Sequence, residues 1–285
     1  MSEFTGRLPD FLIVGATKTG TTSLDFYLSL HPEIHMARPK EPRFFIDAPE
    51  PVGRWQRGVE WYRSLFVSDK TLCGEASPTY TNWSAKQGVF ERMHSVVPNA
   101  KNLFVVREQF ARLRSRYLMN VRYRGIEDSF SEFLLNSQWA LDASVYGVQV
   151  QNILRYFPSE QLLVLEAQEL QERREDTLRK VFDFLGVERE FYSPLFQHKR
   201  HDSRFHAYPN KIGRKILRHP AMRMLERKLP TPFFYHFRNG LNTVFAGKKP
   251  TVSVDPELQE KLSVEFQQDT EKLRKLTGLS LPSLG

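Results

Sequence analysis

Short unbroken apolar runs punctuate the chain, among them FLIVG at 11–15, NLFVV at 102–106 and QLLVL at 161–165. None shows the strict alternation of a half-solvated strand. Runs of this kind suit strands buried on both faces of a parallel sheet. Leu72 to Ala76 reads as a further strand that enters a turn at Ser77-Pro78. Between these runs the period changes to that of helices. Thr22 to Leu30 turns Leu24, Tyr27 and Leu28 inward and stops at His31-Pro32. WQRGVEWYRSLF at 55–66 reads as a short aromatic helix. A further helix follows Arg107, with Phe110, Leu113, Tyr117 and Val121 on one face. Asp176 to Leu185 carries a stripe of Leu178, Val181, Phe182 and Leu185, and Gly186 is a natural terminator. The stretch 38–47 holds Pro39 and Pro42 and predicts a loop with a short extended piece at Phe44-Phe45-Ile46.

Strands alternating with helices predict an α/β fold with a central parallel sheet. The expectation is a single-domain three-layer sandwich over residues 1–285, without internal repeats or a low-complexity linker. A basic, partly helical insertion at about 199–250 interrupts the pattern. The last helix is expected at about 255–277. Asp255 can cap it, Pro256 suits its first turn, and Leu258, Leu262, Phe266 and Leu273 form its inner stripe.

Composition changes this picture in a few places. The chain has 285 residues, 40% of them hydrophobic and 26% charged, which is ordinary for a globular protein. Its 22 Phe and 10 Tyr predict a well-filled core. A formal net charge of +8 points to an anionic partner, whether a nucleotide, an acidic polymer or a membrane surface. Cys73 is the only cysteine, which excludes an internal disulfide and a cysteine-based metal site; beside Gly74 it reads as buried and inert. No cluster of metal-ligand spacing is visible. The first residues lack a basic segment, a long apolar run and a small-residue cleavage site, and no run reaches the roughly 18 apolar residues of a spanning helix. The expected location is therefore cytoplasmic. The segment 211–238, which mixes cations with Ile, Leu, Met and Phe, offers a peripheral membrane contact, an acidic glycan surface or simply a solvated helix. Nothing in the sequence matches a nucleic-acid recognition motif.

The densest chemistry lies in Gly15-Ala16-Thr17-Lys18-Thr19-Gly20-Thr21-Thr22, between a buried strand and a helix. Amides at a helix start lack internal partners, and the macrodipole is positive there. Two glycines allow a tight turn, Lys18 adds a cation, and the threonines add hydroxyl donors. The loop is built for an oxyanion. A nucleoside-triphosphate loop would carry lysine directly after the second glycine. Here Thr21 takes that place and Lys18 sits within the loop, which counts against ordinary kinase or ATPase chemistry.

Strand, TKTGTT and helix resemble the 5′-phosphosulfate loop of sulfotransferases that use 3′-phosphoadenosine 5′-phosphosulfate (PAPS). The segments HPEIHMARPKEPRFF, WYRSLF, GEASPTY, FVVRE with the serine that follows, FPSEQLLVLEAQEL and FDFLGV are similar to successive blocks of the heparan-sulfate-type branch and its bacterial relatives. The resemblance covers roughly residues 10–210 and returns in the last helix. It implies transfer of the sulfuryl group from PAPS to an acceptor hydroxyl, most naturally on a carbohydrate or glycolipid. Adenosine 3′,5′-bisphosphate would leave, and no metal would be needed. Thr17, Lys18, Thr19, Gly20, Thr21 and Thr22 would hold the donor, with Lys18 also stabilising charge during transfer.

Arg107 ends a strand where ligands of parallel sheets bind, and Ser115 lies a little over two helical turns further on. From position alone both could be solvated residues; the resemblance makes them ligands of the 3′-phosphate. Arg112, Arg114 and Arg116 crowd the same helix. Glu41, in KEPRFF, matches the family's general base, with Pro42 and the two phenylalanines expected to desolvate it and raise its pKa. By spacing alone it would be a loop glutamate paired with Lys40 or Arg43. His31, His35 and His94 are the alternative bases, His31 reading as structural and His94 as peripheral. Late in the chain Arg204, then Lys199 and Arg200, stand where the family places a basic loop over the donor. The competing readings are a kinase with an altered phosphate loop and a non-catalytic basic module that binds an anionic polymer or membrane.

Overall fold

The computed structural model describes residues 6–82, 88–197, 207–228 and 231–284. Its centre is a parallel sheet of β1 (Phe11–Gly15), β2 (Ile34–Met36), β3 (Leu72–Ala76), β4 (Lys101–Val106) and β5 (Leu162–Glu166). The strands lie in the order β2-β3-β1-β4-β5, and every neighbouring pair is parallel. The predicted α/β architecture with a central parallel sheet is what the chain forms. Gly74 faces Phe11 across the β1–β3 pair, and a Cβ there would lie 2.2 Å from the Phe11 ring. The two strands reach this spacing only because position 74 has no side chain.

Alternation along β1 assigns its residues to two apolar layers. Leu12 and Val14 join a cluster with Tyr62, Phe66, Phe90, Val150 and Leu273. Phe11 and Ile13 join another with Leu24, Leu28, Leu178, Val181 and Phe182. Each layer is the inner stripe of the helices that follow the strands, which is why unbroken apolar runs read as strands covered on both faces.

Three local expectations change. The short strand β2 is absent from the sequence reading, because only Ile34 and Met36 face inward and the flanks are polar. It forms because Ile34 to Met36 pair with Leu72 to Gly74. Phe44-Phe45-Ile46 is not extended. The Ile46 amide donates to the Arg43 carbonyl at 3.3 Å and closes a turn. Aromatic packing rather than strand pairing buries these rings: Phe44 stacks on Tyr62 with centroids 4.3 Å apart. The expected helix at 55–66 is split into a 3-10 turn at Trp55–Arg57, a helix at Gly58–Arg63 and a second 3-10 turn at Ser64–Phe66. Gly58 causes the first break, with φ of 78°. The helices at Thr21–Ser29, Gln109–Arg124, Arg174–Leu185 and Pro256–Thr277 fall where periodicity puts them. Gly186 ends the third in the left-handed conformation, and the Asp255 carboxylate accepts from the Glu257 and Leu258 amides at the start of the last.

The chain divides into two compact units. The first holds residues 1–109, 142–200 and 265–285, and contains the whole sheet. Its last segment is bonded into it. The Asp269 carboxylate accepts from the Gly147 and Val148 amides at 2.8 and 3.2 Å, at the start of the helix Tyr146–Leu154. The Ser283 amide donates to Glu166 at the end of β5, at 2.7 Å.

The second unit holds residues 110–141 and 201–264 and is mainly helical. Its helix Phe130–Asn136 begins with a reciprocal capping box between Ser129 and Glu132. The basic stretch forms helices at Lys211–Arg218, Pro220–Lys228 and Thr231–Val244. Several of its polar groups are engaged within the unit: Arg218 pairs with Glu127 at 2.9 Å, Arg214 donates to the Pro209 carbonyl, and Asn239 accepts from Arg122. Among the described residues no helix is long and apolar enough to cross a membrane.

Candidate active site

β1 lies between β3 and β4, so the chain leaves it in one direction for β2 and β3 and later crosses to β4 and β5. A topological switch of this kind opens a crevice at the carboxyl ends of the strands. The loop 15–22 occupies it. The Ala16 amide donates to the Val105 carbonyl at 2.9 Å, and the Thr19 hydroxyl donates back to the Ala16 carbonyl at 2.7 Å. Lys18 and Gly20 have φ of 71° and 99°. These values curl the backbone over the start of the helix Thr21–Ser29. Gly20 offers no side-chain cap, and the first helical turn holds no acid. An anion placed there meets helix-start amides that no side chain of the cap satisfies. Thr17, Thr19 and Thr21 are buried, whereas Lys18 and Thr22 are part-exposed and Gly20 is exposed.

Arg107 follows the end of β4 and donates from its guanidinium to the Lys18 carbonyl at 3.4 Å. The Tyr146 hydroxyl donates to the Arg107 carbonyl at 2.7 Å. Arg107 is thereby held at the loop. The loop amides, the hydroxyls of Thr21 and Thr22, Lys18 and Arg107 form a donor set suited to phosphate and sulfate oxygens.

Glu41 reaches the same loop through its neighbour. The Lys40 ammonium donates to the Thr22 hydroxyl at 3.1 Å and stands 3.9 Å from the Glu41 carboxylate. Burial pushes the Lys40 ammonium below the ordinary lysine range, against the pull of Glu41 and Asp25. The Glu41 carboxylate also accepts two bonds from Arg43, at 2.6 and 3.2 Å, and keeps 28% of its side chain exposed. Phe44 and Phe45 turn into the core, both fully buried, and the carboxylate meets cations in place of the expected aromatic wall. Sequence reading weighed Lys40 only as a partner of Glu41 and missed its bond to Thr22. That bond joins two segments distant in sequence, so spacing carried no sign of it.

Behind this loop lies a carboxylate that the sequence reading also passed over. Glu75, on β3, is fully buried. It accepts hydrogen bonds from the hydroxyls of Tyr62 at 2.8 Å, Tyr80 at 2.6 Å and Ser77 at 2.6 Å. Burial pushes its pKa up to about 7, the three hydroxyls pull the other way, and the Glu41 charge adds to the rise. The signal was available: an acid inside an apolar strand run is rarely buried without a purpose.

The remaining candidates are placed as follows. Ser115 is part-exposed on the helix Gln109–Arg124, in the second unit. Of the arginines that crowd that helix, Arg112 is fully buried and donates to the Ala140 carbonyl at 3.0 Å, and Arg116 lies over the Trp139 ring. Lys199, Arg200 and Arg204 lie outside the described residues. His31 is buried with both ring nitrogens engaged by backbone, one by Glu188 and one by Glu33. His35 contacts the Leu65 carbonyl, and His94 lies against Phe157. Among the described residues no group of His, Cys, Asp or Glu is placed to hold a metal ion.

Comparison with known proteins bears on the same elements. The family model of the sulfotransferase domain matches residues 8–209. The human bifunctional heparan sulfate N-deacetylase/N-sulfotransferase 2 is 29% identical over 203 residues, covering 64% of this chain and 22% of that protein. Mouse heparan sulfate glucosamine 3-O-sulfotransferase 6 is 30% identical over 193 residues, covering 64% of this chain and 54% of that one. This chain thus spans about a fifth of the first relative and about half of the second. The crystal structure of a sulfotransferase from Alicyclobacillus acidocaldarius superimposes with a TM-score of 0.67 at 25% identity, over 96% of this chain and 98% of that one.

Proposed function

Because the chain belongs to the sulfotransferase domain family, we propose that it moves the sulfuryl group of PAPS to a hydroxyl of a carbohydrate or glycolipid, with Glu41 as general base. The observation that carries this reading is the Lys40 bridge, which sets the Glu41 carboxylate beside the anion-binding start of the first helix. A carbohydrate acceptor is in keeping with relatives named for heparan sulfate.

The donor supplies a sulfuryl group already bonded to a good phosphate leaving group. This chain's residues supply the rest. The loop amides, Lys18 and the hydroxyls of Thr21 and Thr22 bind the 5′-phosphosulfate and offset the charge that builds on the bridging oxygen. Arg107 binds the 3′-phosphate. Glu41 takes the proton of the acceptor hydroxyl as the new O–S bond forms. The old S–O bond breaks in line, and adenosine 3′,5′-bisphosphate departs with the electron pair. Lys40 and Arg43 orient the carboxylate towards the start of the helix before transfer.

The test is ligand-induced thermal stabilisation. A ligand that binds only the folded state at 100 times its Kd adds about 2.7 kcal/mol. Adenosine 3′,5′-bisphosphate is expected to raise the melting temperature, and ATP with magnesium to leave it nearly unchanged. The opposite ranking supports the altered-loop kinase and sinks the sulfotransferase reading. Response to neither supports a non-catalytic basic module.

A further inference from the structure

The segment that carries the base has no regular secondary structure, and two of its non-glycine residues are left-handed: Glu41 with φ of 59° and Arg43 with φ of 53°. Such residues persist only where their surroundings over-determine them. The surroundings here are specific. The Glu41 amide donates to the Ala76 carbonyl at 3.2 Å. Arg54 donates to the Glu41 and Pro42 carbonyls. The Arg43 amide donates to the Ser77 hydroxyl oxygen at 3.0 Å, and that hydroxyl donates in turn to Glu75 at 2.6 Å.

We propose that Glu75 is a positioning residue for transfer: acting through Ser77, it fixes the Arg43 amide and with it the Glu41 carboxylate. The inference rests on the sulfotransferase reading of the site.

The polarity of the chain explains why a carboxylate stands at position 75. An ionised carboxylate only accepts, so it takes the hydroxyl protons of Tyr62, Tyr80 and Ser77 together. The one proton of Ser77 is then committed to Glu75, and a lone pair is left for the Arg43 amide. An amide at position 75 has the same shape but donates on one side. If that side faces Ser77, the serine proton is displaced towards the Arg43 amide. If it faces the tyrosines, their hydroxyls must turn into a fully buried space. Protonation of Glu75 has the same effect. The groups that face it are Tyr62 from the helix Gly58–Arg63, Ser77 and Tyr80 from the turn after β3, and the charge of Glu41 from the base loop; Arg54 lies near Tyr80. Burial brings its titration to about 7, so the hold on Arg43 is complete only on the alkaline side of neutrality.

The experiment uses the full chain, its Glu75→Gln and Ser77→Ala variants, PAPS as donor and desulfated heparan sulfate and simple glycolipids as acceptors. Affinity for adenosine 3′,5′-bisphosphate is measured by calorimetry and Arg43 amide exchange by NMR. A displaced base is expected to lower kcat by about tenfold to a hundredfold in both variants. Donor KM and bisphosphate affinity are expected to change by less than about threefold, since uniform binding is untouched. Wild-type kcat is expected to rise with pH through about 7, a step that Glu75→Gln lacks. Arg43 amide exchange is expected to quicken in both variants. Should Glu75→Gln fail to fold, Ser77→Ala decides, because it leaves Glu75 and both tyrosines in place. Variants with wild-type kcat and pH profile overturn the inference. So do variants whose bisphosphate affinity falls as far as kcat, which marks a merely structural role. A wild type that binds no bisphosphate overturns the sulfotransferase reading instead. If it binds but transfers to no acceptor, the carbohydrate assignment falls, and Arg43 exchange alone decides: unchanged protection in both variants overturns the hold.

Discussion

The buried carboxylate at position 75 makes folding stability depend on pH in a direction opposite to most acids. Its pKa rises from 4.5 to about 7 on folding, chiefly because burial penalises the charge. Between those two values the folded state binds more protons than the unfolded one, so stability falls as pH rises. Below 4.5 both states are protonated and the cost is absent; above about 7 it is complete. At about 1.4 kcal/mol per unit, the full cost is about 3 kcal/mol. Glu75→Gln cannot ionise and escapes it. Lost hydrogen bonds will add an offset of either sign, but that offset does not depend on pH. The assay is urea unfolding of both proteins at pH 5, 6, 7 and 8, followed by tryptophan fluorescence, since Trp55 and Trp61 pack on Phe44 near this cluster. Titrations not coupled to Glu75 cancel in the difference between the two curves. That difference should shift by about 2.5 kcal/mol in favour of the variant between pH 5 and pH 8, since a part of the cost is already present at pH 5. A difference flat to within about 0.5 kcal/mol would show that Glu75 has the same proton affinity folded and unfolded, and the reasoning from burial would fall.

Two further outcomes test the site and the sheet. Glu41→Gln should lower kcat by about a hundredfold or more while adenosine 3′,5′-bisphosphate still raises the melting temperature; near-normal turnover would remove Glu41 as the base. Gly74→Ala places a methyl 2.2 Å from the buried Phe11 ring. Overpacking of that kind costs about 1–3 kcal/mol, and a melting temperature within about 1 °C of wild type would contradict the close approach of β1 and β3.

Much of the fold was legible because apolar runs and helical stripes act locally. β1, β4 and β5 are continuous apolar runs, and the helix Arg174–Leu185 carries its own stripe and its own glycine stop. The loop from Gly15 to Thr22 was legible because its chemistry is contiguous. What escaped the sequence depended on partners far along the chain. β2 exists only through its pairing with β3. The turn at Phe44 is set by packing against Tyr62, not by its own propensity. Lys40 meets Thr22, and Glu75 gathers hydroxyls from two elements. These are side-chain bonds across segments, and no local pattern encodes them.

The link from Ser283 to Glu166 spans 117 residues. At a synthesis rate of about 5–20 residues per second, the end of β5 is made roughly 6 to 23 seconds before Ser283. During that interval the places later taken by Leu273, Leu281 and Leu284 in the apolar layer beneath β1 stand open. The nascent chain thus passes through a stage with its sheet written and its cover still to come. At that stage part of the apolar layer is open to solvent and to other chains until residues 273–284 are made.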